Sequence, residues 1–304
     1  MAAARESIAR GSKSFAAASG LFDRRTRERA WLLYAWCRAC DDLADGQEMG
    51  HGMAPVADPA ERLETIARLT AAALGGEETG VAAFDALGVV AAECAIPYGL
   101  PGDVIAGFAL DAQGWRPADE EELYRYCYHV AGAVGVMMAL VMGVRADDEA
   151  VLDRACDLGI AFQLANIARD IGEDAGAGRC YLPADWLAEH GIVDGELMRE
   201  EHRPALAAMA RRLAERAALH EASARAGAAA LSFRSAWAVL AAAGIYGNIA
   251  REVAVRGERA WDARVTTSRA AKLGWIARAF GQALGRKRAG SADREGLWTR
   301  PRAA

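Results

Sequence analysis

The 304-residue sequence has no apolar run long enough to cross a bilayer. Its longest such run, Ala131 to Val144, is too short and contains Gly132, Gly135 and Gly143, so it reads as a buried core helix. Strand-like alternation of Val, Ile and Thr is nearly absent, which argues against a sheet. The eight prolines all fall where loops or helix starts are expected, so none breaks a long helical stretch. Positive charge is not in excess. The formal net charge is -5, which gives no global attraction to nucleic acid or to an anionic membrane, although local basic patches stay open. The first twenty residues carry Arg5, Arg10 and Lys13 but no sustained apolar segment, so no secretory signal is visible. Cysteine is sparse and badly spaced for metal. Cys37 and Cys40 form a lone C-x-x-C with no second Cys or His pair, which leaves buried thiols as the reading. No Gly-x-Gly-x-x-Gly follows a strand. What remains is a cytoplasmic protein, soluble or peripheral at the inner face of a membrane.

What the chain does have is helix-forming residues. Ala, Leu, Glu and Arg dominate, and 53% of residues are apolar, enough for a sizeable core. Helices are predicted at about 22–45, 59–74, 80–96, 101–114, 119–142, 147–174, 204–226, 231–256 and 267–284, with Gly46 to Pro55 as a loop. No composition break or repeat divides the chain. The expectation is one all-α domain over residues 1–285 and a mobile tail over 286–304.

Two acidic segments far apart in sequence stand out. In Asp41-Asp42-Leu43-Ala44-Asp45, Asp41 and Asp45 lie one helical turn apart on one face. In the second, Asn166, Asp170 and Asp174 recur every four residues, with Gln163 a turn earlier. One such run alone reads as a solvated helix face. Here both follow apolar stretches, Leu32 to Trp36 and Ile160 to Leu164, so both helices should be largely buried and their acids need partners. Hard oxygen donors suit Mg²⁺, which keeps waters and binds through a few carboxylates plus substrate phosphates; Mn²⁺ is an acceptable substitute. Two such stripes could hold a diphosphate between them through the metal, which would also stabilise charge on a departing diphosphate. Arg38 and Arg169 sit among these acids, either as ion-pair partners or as grips on diphosphate oxygens. Ser12-Lys13-Ser14-Phe15 offers two hydroxyls and a cation suited to cover a phosphate.

With those residues in view, the sequence resembles the squalene/phytoene synthase family, from about Ser12 to Lys272. The resemblance rests on Gly11 to Phe15, Leu33 to Asp45, Tyr126 to Gly132, Gln163 to Asp170, Asp174, and Gly178 to Pro183. It implies an all-α isoprenoid synthase fold, with helices around a central apolar cavity and two Asp-rich helices at its mouth. It implies metal ligation by Asp41, Asp45, Asn166, Asp170 and Asp174. It implies contact with prenyl diphosphate substrates, or their reacting ends, by Ser12, Lys13, Ser14, Tyr34, Arg38, Gln163, Arg169 and Tyr246. Of these, Asp41, Asp45, Asp170, Asp174, Tyr34 and Arg38 would carry the chemistry. The expected reaction joins two geranylgeranyl diphosphates head to head through a cyclopropyl diphosphate to phytoene, with no NADPH. Tyr126, Tyr128 and Phe162 are candidate cavity aromatics, and His129 reads as a hydrogen-bonded core residue. Two features depart from the family pattern: the neutral loop Ala175 to Gly178, and Gly247 beside Tyr246 in a helix.

Three rival readings remain at this point. A squalene or dehydrosqualene synthase would use C15 chains, and a squalene synthase would also need hydride from NADPH. A terpene cyclase or chain-elongating prenyltransferase shares the Asp-rich logic but fits Tyr126 to Gly132 and Asn166 to Asp174 poorly. A catalytically silent helical binding protein of the same fold is opposed by the intact Asp41, Asp45, Asp170 and Asp174.

Overall fold

The computed structural model describes residues 1–11, 13–46, 58–193, 195–287 and 292–302, and leaves undescribed the side chains of residues 2, 3, 13 and 14. Every regular element among the described residues is helical. In chain order the helices are α1 (Ala2–Gly11), α2 (Lys13–Ser19), α3 (Arg24–Asp45), α4 (Pro59–Leu74), α5 (Ala82–Cys94), α6 (Gly99–Ala112) and α7 (Glu120–Cys127). There follow α8 (Ala133–Val141), α9 (Glu149–Gly176), α10 (Ala184–Glu189), α11 (Arg203–Gly227), α12 (Phe233–Arg256) and α13 (Arg269–Gly285). The loop expected from Gly46 to Pro55 lies almost wholly outside the described residues.

Local chemistry sets the helix ends. Asp23 precedes α3, and its carboxylate accepts the Thr26 N–H at 3.0 Å. Asp58 caps α4 in the same way, with Pro59 at the first helical position. Helices α7 and α8 are joined by a π turn, Tyr128–Gly132, so the single helix expected at 119–142 carries an extra-wide turn in its middle.

Helix α9 is the axis of the molecule. It packs against α8, α11 and α12. Its 28 residues span about 42 Å. Its apolar positions, including Leu152, Cys156, Ile160, Leu164, Ile167 and Ile171, are buried at spacings of three and four. From α3, Leu33, Trp36 and Cys40 enter the same core, and the Trp36 indole donates to Thr70 Oγ1 on α4 at 3.2 Å. On α12, Gly247 is demanded by space. A Cβ there would come within 1.9 Å of the Glu221 carboxylate, which pairs with Arg225 and Arg251. The residue is therefore a close-approach position rather than a loosening of the helix.

Residues 292–302, expected to be mobile, lie along α9. Arg294 donates to Asp157 at 2.7 and 3.0 Å, Arg300 stands 3.1 Å from Asp153, and Arg302 donates to Asp153 at 2.8 and 3.0 Å. Arg154 donates to the Ala292 carbonyl at 2.8 Å. The reason is the line Glu149, Asp153 and Asp157 on α9, whose inner acids are buried and draw arginines from the tail.

Candidate active site

Helix α3 has two different faces. Leu33, Trp36 and Cys40 turn into the core, while Tyr34, Arg38, Asp41 and Asp45 recur at four, three and four residues along another side. Helix α9 repeats the arrangement. Ala155, Gly159, Gln163, Asn166, Asp170 and Asp174 follow one line, apolar at its start and polar at its end. Between these helices lies a cavity of about 360 Å³. Its deeper wall is apolar, with Phe22, Val134, Met138, Met142 and Leu231 among its residues. Tyr34, Arg38, Asp41, Gln163, Asn166 and Tyr246 supply its polar lining. Asp45, Asp170 and Asp174 are outside the lining and continue the two lines past its polar end.

The acidic ends of the helices converge. Arg179, three residues past α9, holds Asp45 on α3 at 2.5 Å. Asp111 of α6 sits electrostatically between them, near both Asp41 and Asp174. It accepts Tyr126 Oη at 3.0 Å and Tyr181 Oη at 2.8 Å. Every acid on the two lines has an arginine neighbour or a second carboxylate. Arg38 is 3.3 Å from Asp41. Arg169 forms a two-pronged pair with Asp170, and Arg264 reaches both Asp170, at 3.1 Å, and Glu173.

These arginines do not neutralise the site. Loss of water pushes the Asp41 carboxyl up to about 7, against Arg38, with Asp45, Asp42 and Asp111 adding to the rise. Asp41 keeps 38% of its side-chain surface open, but it belongs to the cavity lining, so that surface faces a confined mouth rather than bulk water. Burial likewise raises Asp174 to about 7, helped by Asp170. The mouth thus holds more acid than its own cations can settle. Such a set of carboxylate and amide oxygens fits a hard divalent cation. Among the described residues, no group of three or more His, Cys, Asp or Glu is close enough to hold a metal alone.

Aromatic residues roof the polar end. Phe162 stacks on Tyr246 with centroids 4.3 Å apart, and Phe15 of α2 packs on both, at 6.1 and 5.1 Å. Phe15 also meets Tyr34 at 6.3 Å. Gly11, at the end of α1, closes on the same tyrosine. A Cβ at Gly11 would stand 2.4 Å from Tyr34 Oη, so only glycine leaves that hydroxyl in place. Ser12 and the side chains of Lys13 and Ser14 lie outside the described residues.

Some sequence expectations are corrected here. Phe162 lines the cavity, but Tyr126 and Tyr128 do not. Tyr126 stacks between Trp115 and Tyr181 and serves Asp111, while Tyr128 bonds Asp103. The intervening π turn rotates this segment relative to a regular helix, which leaves Val130 and Ala131 on the cavity instead. His129 is held by the Asp103 carbonyl at 2.9 Å, as a core histidine. The six cysteines are free, and burial raises the Cys37 and Cys40 thiols, which disfavours thiolate ligation by the C-x-x-C pair. Arg179, Arg264 and Asp111 were not among the expected site residues. Arg179 was within reach of sequence reasoning, as the cation next to the acidic run. Arg264 was not, being a tertiary contact 94 residues from Asp170.

The sequence profile of squalene/phytoene synthases matches residues 8–271. The chain belongs to the squalene/phytoene synthase family. It is 46% identical over 299 residues to a 15-cis-phytoene synthase of Pantoea ananas, covering 97% of this chain and 96% of that one. A 15-cis-phytoene synthase from a Paracoccus species is 45% identical over 298 residues, with the same coverage. Among solved structures, a ligand-bound dehydrosqualene synthase superposes with a TM-score of 0.81 at 26% identity, covering 92% of this chain and 95% of that one. A squalene synthase from Alicyclobacillus acidocaldarius shares the fold, with a TM-score of 0.73 at 22% identity. The all-α isoprenoid synthase fold and the prenyltransferase class of this family member follow from these likenesses together with the cavity.

Proposed function

We propose that the protein condenses two geranylgeranyl diphosphates head to head to phytoene, releasing two diphosphates, as a step of carotenoid biosynthesis. The supporting observation is near-full-length identity of 45–47% to bacterial phytoene synthases, in a chain whose acids and arginines gather at one cavity mouth. Asp41, Asp45, Asn166, Asp170 and Asp174 would hold magnesium. When bound there it supplies positive charge that screens the substrate diphosphates and stabilises charge on the one that leaves.

The chain's own residues do the rest. Arg38, Arg169, Arg179 and Arg264 are paired with carboxylates in the ligand-free arrangement. With those carboxylates holding cations, the guanidinium groups would be available to diphosphate oxygens, which a planar fork binds well. Tyr34, Gln163 and Tyr246 line the cavity and would face the reacting ends. One prenyl diphosphate ionises. The double bond of the other attacks the allylic cation, and proton loss gives a cyclopropyl diphosphate. A second ionisation, rearrangement and proton loss give the triene. The apolar wall excludes water that would quench these cations, and the Phe162 and Tyr246 faces can stabilise positive charge. Because the central double bond forms by proton loss, no hydride donor enters. The C40 product is insoluble in water, so we place the enzyme as a peripheral protein at the cytoplasmic membrane face.

The test is product analysis with C15 and C20 prenyl diphosphates, each with and without NADPH. A C40 triene from the C20 substrate without NADPH is expected. A C30 product alone, or product only with NADPH, would transfer the assignment to the squalene-type enzymes. Absence of Mg²⁺-dependent diphosphate release would favour a silent binding protein.

A further inference from the structure

Helix α13 has one face in the protein and one outside it. Inward, Ala279 and Ala283 are buried and Ile276 is half-buried, and the Trp237 indole of α12 donates to the Ile276 carbonyl at 2.9 Å. Outward, Leu273 is 68% exposed and Leu284 is 65% exposed, and Phe280, 41% exposed, keeps one edge of its ring against Phe233 and Trp237 of α12 at 5.5 and 5.1 Å. With exposed Ala277 these three stand four, three and four residues apart, which is a single stripe along the helix. Three large apolar side chains on one stripe of a folded surface mark an interaction site.

The charge around the stripe is one-signed. Between Asp262 and Asp293 the sequence has no acidic residue, and α13 with its end carries Arg269, Lys272, Arg278, Arg286 and Lys287. Arg269 and Lys287 flank the stripe at its two ends, while Arg278 lies on another side of the helix, over the Trp275 ring. This happens in a chain of net charge -5, so the positive surface is local. Two copies of α13 placed face to face would oppose these cations with no acid in the segment to answer them. Anionic lipid headgroups supply the opposite charge, and the acyl boundary beneath them takes the apolar side chains.

We infer that the outer face of α13 docks on an anionic lipid bilayer, lying in the headgroup plane with Leu273, Phe280 and Leu284 inserted. The position suits delivery of an apolar product, a purpose that rests on the function proposed above. Helix α12 packs against α13 and supplies Ala238, Val239, Ala242 and Tyr246 to the cavity wall, so the docked surface is one helix layer, about 10 Å, from that wall. The long apolar helix Phe233–Arg259 does not compete for this role, since it is mostly buried inside the fold.

The test uses the full chain without substrate, so it stands or falls apart from product identity. Co-flotation is measured with vesicles of phosphatidylcholine alone and of phosphatidylcholine mixed with phosphatidylglycerol. Binding to the mixed vesicles, weakened by salt, is expected. The variant Leu273→Ser/Leu284→Ser, which spares the Phe280 ring packed on α12, should lower the partition coefficient on the order of tenfold, with an unchanged circular dichroism spectrum and turnover in solution. The variant Arg269→Glu/Lys272→Glu/Lys287→Glu should lose the preference for the anionic vesicles. Wild-type protein that binds neither vesicle, or a serine variant that binds like wild type, overturns the inference. So does light scattering that shows a dimer converted to monomer by the serine changes, since the stripe would then be a subunit contact.

Discussion

Helix α9 presents Glu149, Asp153 and Asp157 near its start and Asn166, Asp170 and Asp174 near its end, both sets at four-residue spacing. The first set is answered by the chain itself. Asp157 is fully buried, yet it meets His220 at 2.9 Å, Ser223, and Arg294 at 2.7 and 3.0 Å, while Asp153 takes Arg300 and Arg302. Burial alone would raise the Asp157 carboxyl, but donors from His220, Arg294 and Ser223 outweigh it and hold it below the usual carboxylate range. The second set is answered only in part, and Asp174, like Asp41 across the mouth, is pushed up to about 7. The same spacing therefore serves two ends. Where the chain supplies the cations, the acids fasten a tail. Where it leaves a deficit, two carboxyls stay raised, and that is where the function proposed above would have external cations bind.

The comparison breaks most sharply under single substitutions. Asp170→Ala and Asp41→Ala should each cut turnover roughly 10³-fold or more, the loss expected when one ligand to a catalytic cation goes. Asp41→Ala should leave the unfolding midpoint near wild type, whereas Asp170→Ala strands Arg169 and Arg264 and should cost some stability as well. Asp157→Ala should do the reverse. It strands Arg294 and His220 beside a buried gap and should cost about 3–5 kcal/mol, while the fraction that folds keeps its turnover number. Urea unfolding and active-site-normalised turnover on all three variants check both halves. Inactive but folded Asp157→Ala protein, or destabilised Asp41→Ala protein, would erase the distinction between the two ends.

The two ends differed little to sequence reading. Asp41, Asp45, Asn166, Asp170 and Asp174 were legible because helical spacing is local and each run follows apolar residues. Glu149, Asp153 and Asp157 have the same spacing and drew no attention, because what settles their role, the arrangement of Arg294, Arg300 and Arg302, arises only on folding. Long helices were legible for the same local reason: 59–74 coincides with Pro59–Leu74, and 147–174 differs from Glu149–Gly176 by two residues at each end. Short α1, α2 and α10 were not predicted. Six residues between Pro183 and His190, as in α10, hold too little periodicity to register. Tyr128 opens the π turn Tyr128–Gly132, a wider turn that leaves no mark on the residue pattern, while Tyr126 is drawn away by Asp111, Trp115 and Tyr181, contacts that arise only on folding.

A milder test acts on protons and metal. Asp41 and Asp174 have native pKa values of about 7, above the ordinary carboxylate value near 4 that they regain on unfolding. Between those limits the native state binds more protons than the unfolded state, so these two groups make metal-free stability fall as pH rises from about 4 to about 7. A divalent cation favours the ionised carboxylates and should remove that penalty. Melting should therefore show a larger Mg²⁺-induced rise at pH 8 than at pH 5.5, where protons compete for the same oxygens. In Asp41→Asn/Asp174→Asn the pH dependence of the Mg²⁺ response should flatten. An equal response at both pH values in the wild type would contradict the charge deficit at the mouth.

The smallest expected effect concerns the covers at the two ends. The tail over Asp153 and Asp157 is fastened by ion pairs, whereas α2 meets the site through one aromatic side chain, Phe15, against Tyr34, Phe162 and Tyr246. An apolar ring contact suits a segment that opens for substrate and closes over cations, and closure excludes water. Phe15→Leu keeps an apolar side chain but gives up the ring contacts, so the cover should close less tightly while ionisation still proceeds. Mass spectrometry of products should then show about two- to threefold more prenyl alcohol and cyclopropyl diphosphate per molecule of final hydrocarbon. Ser12→Gly/Ser14→Gly, which loosens the same segment, should shift the ratio in the same direction. Arg302→Gln at the opposite end should leave the ratio alone, since its partners Glu149 and Asp153 are not among the residues lining the cavity. A ratio unchanged in Phe15→Leu, or moved equally by Arg302→Gln, would mean that α2 is static packing and that water is excluded by the cavity walls alone.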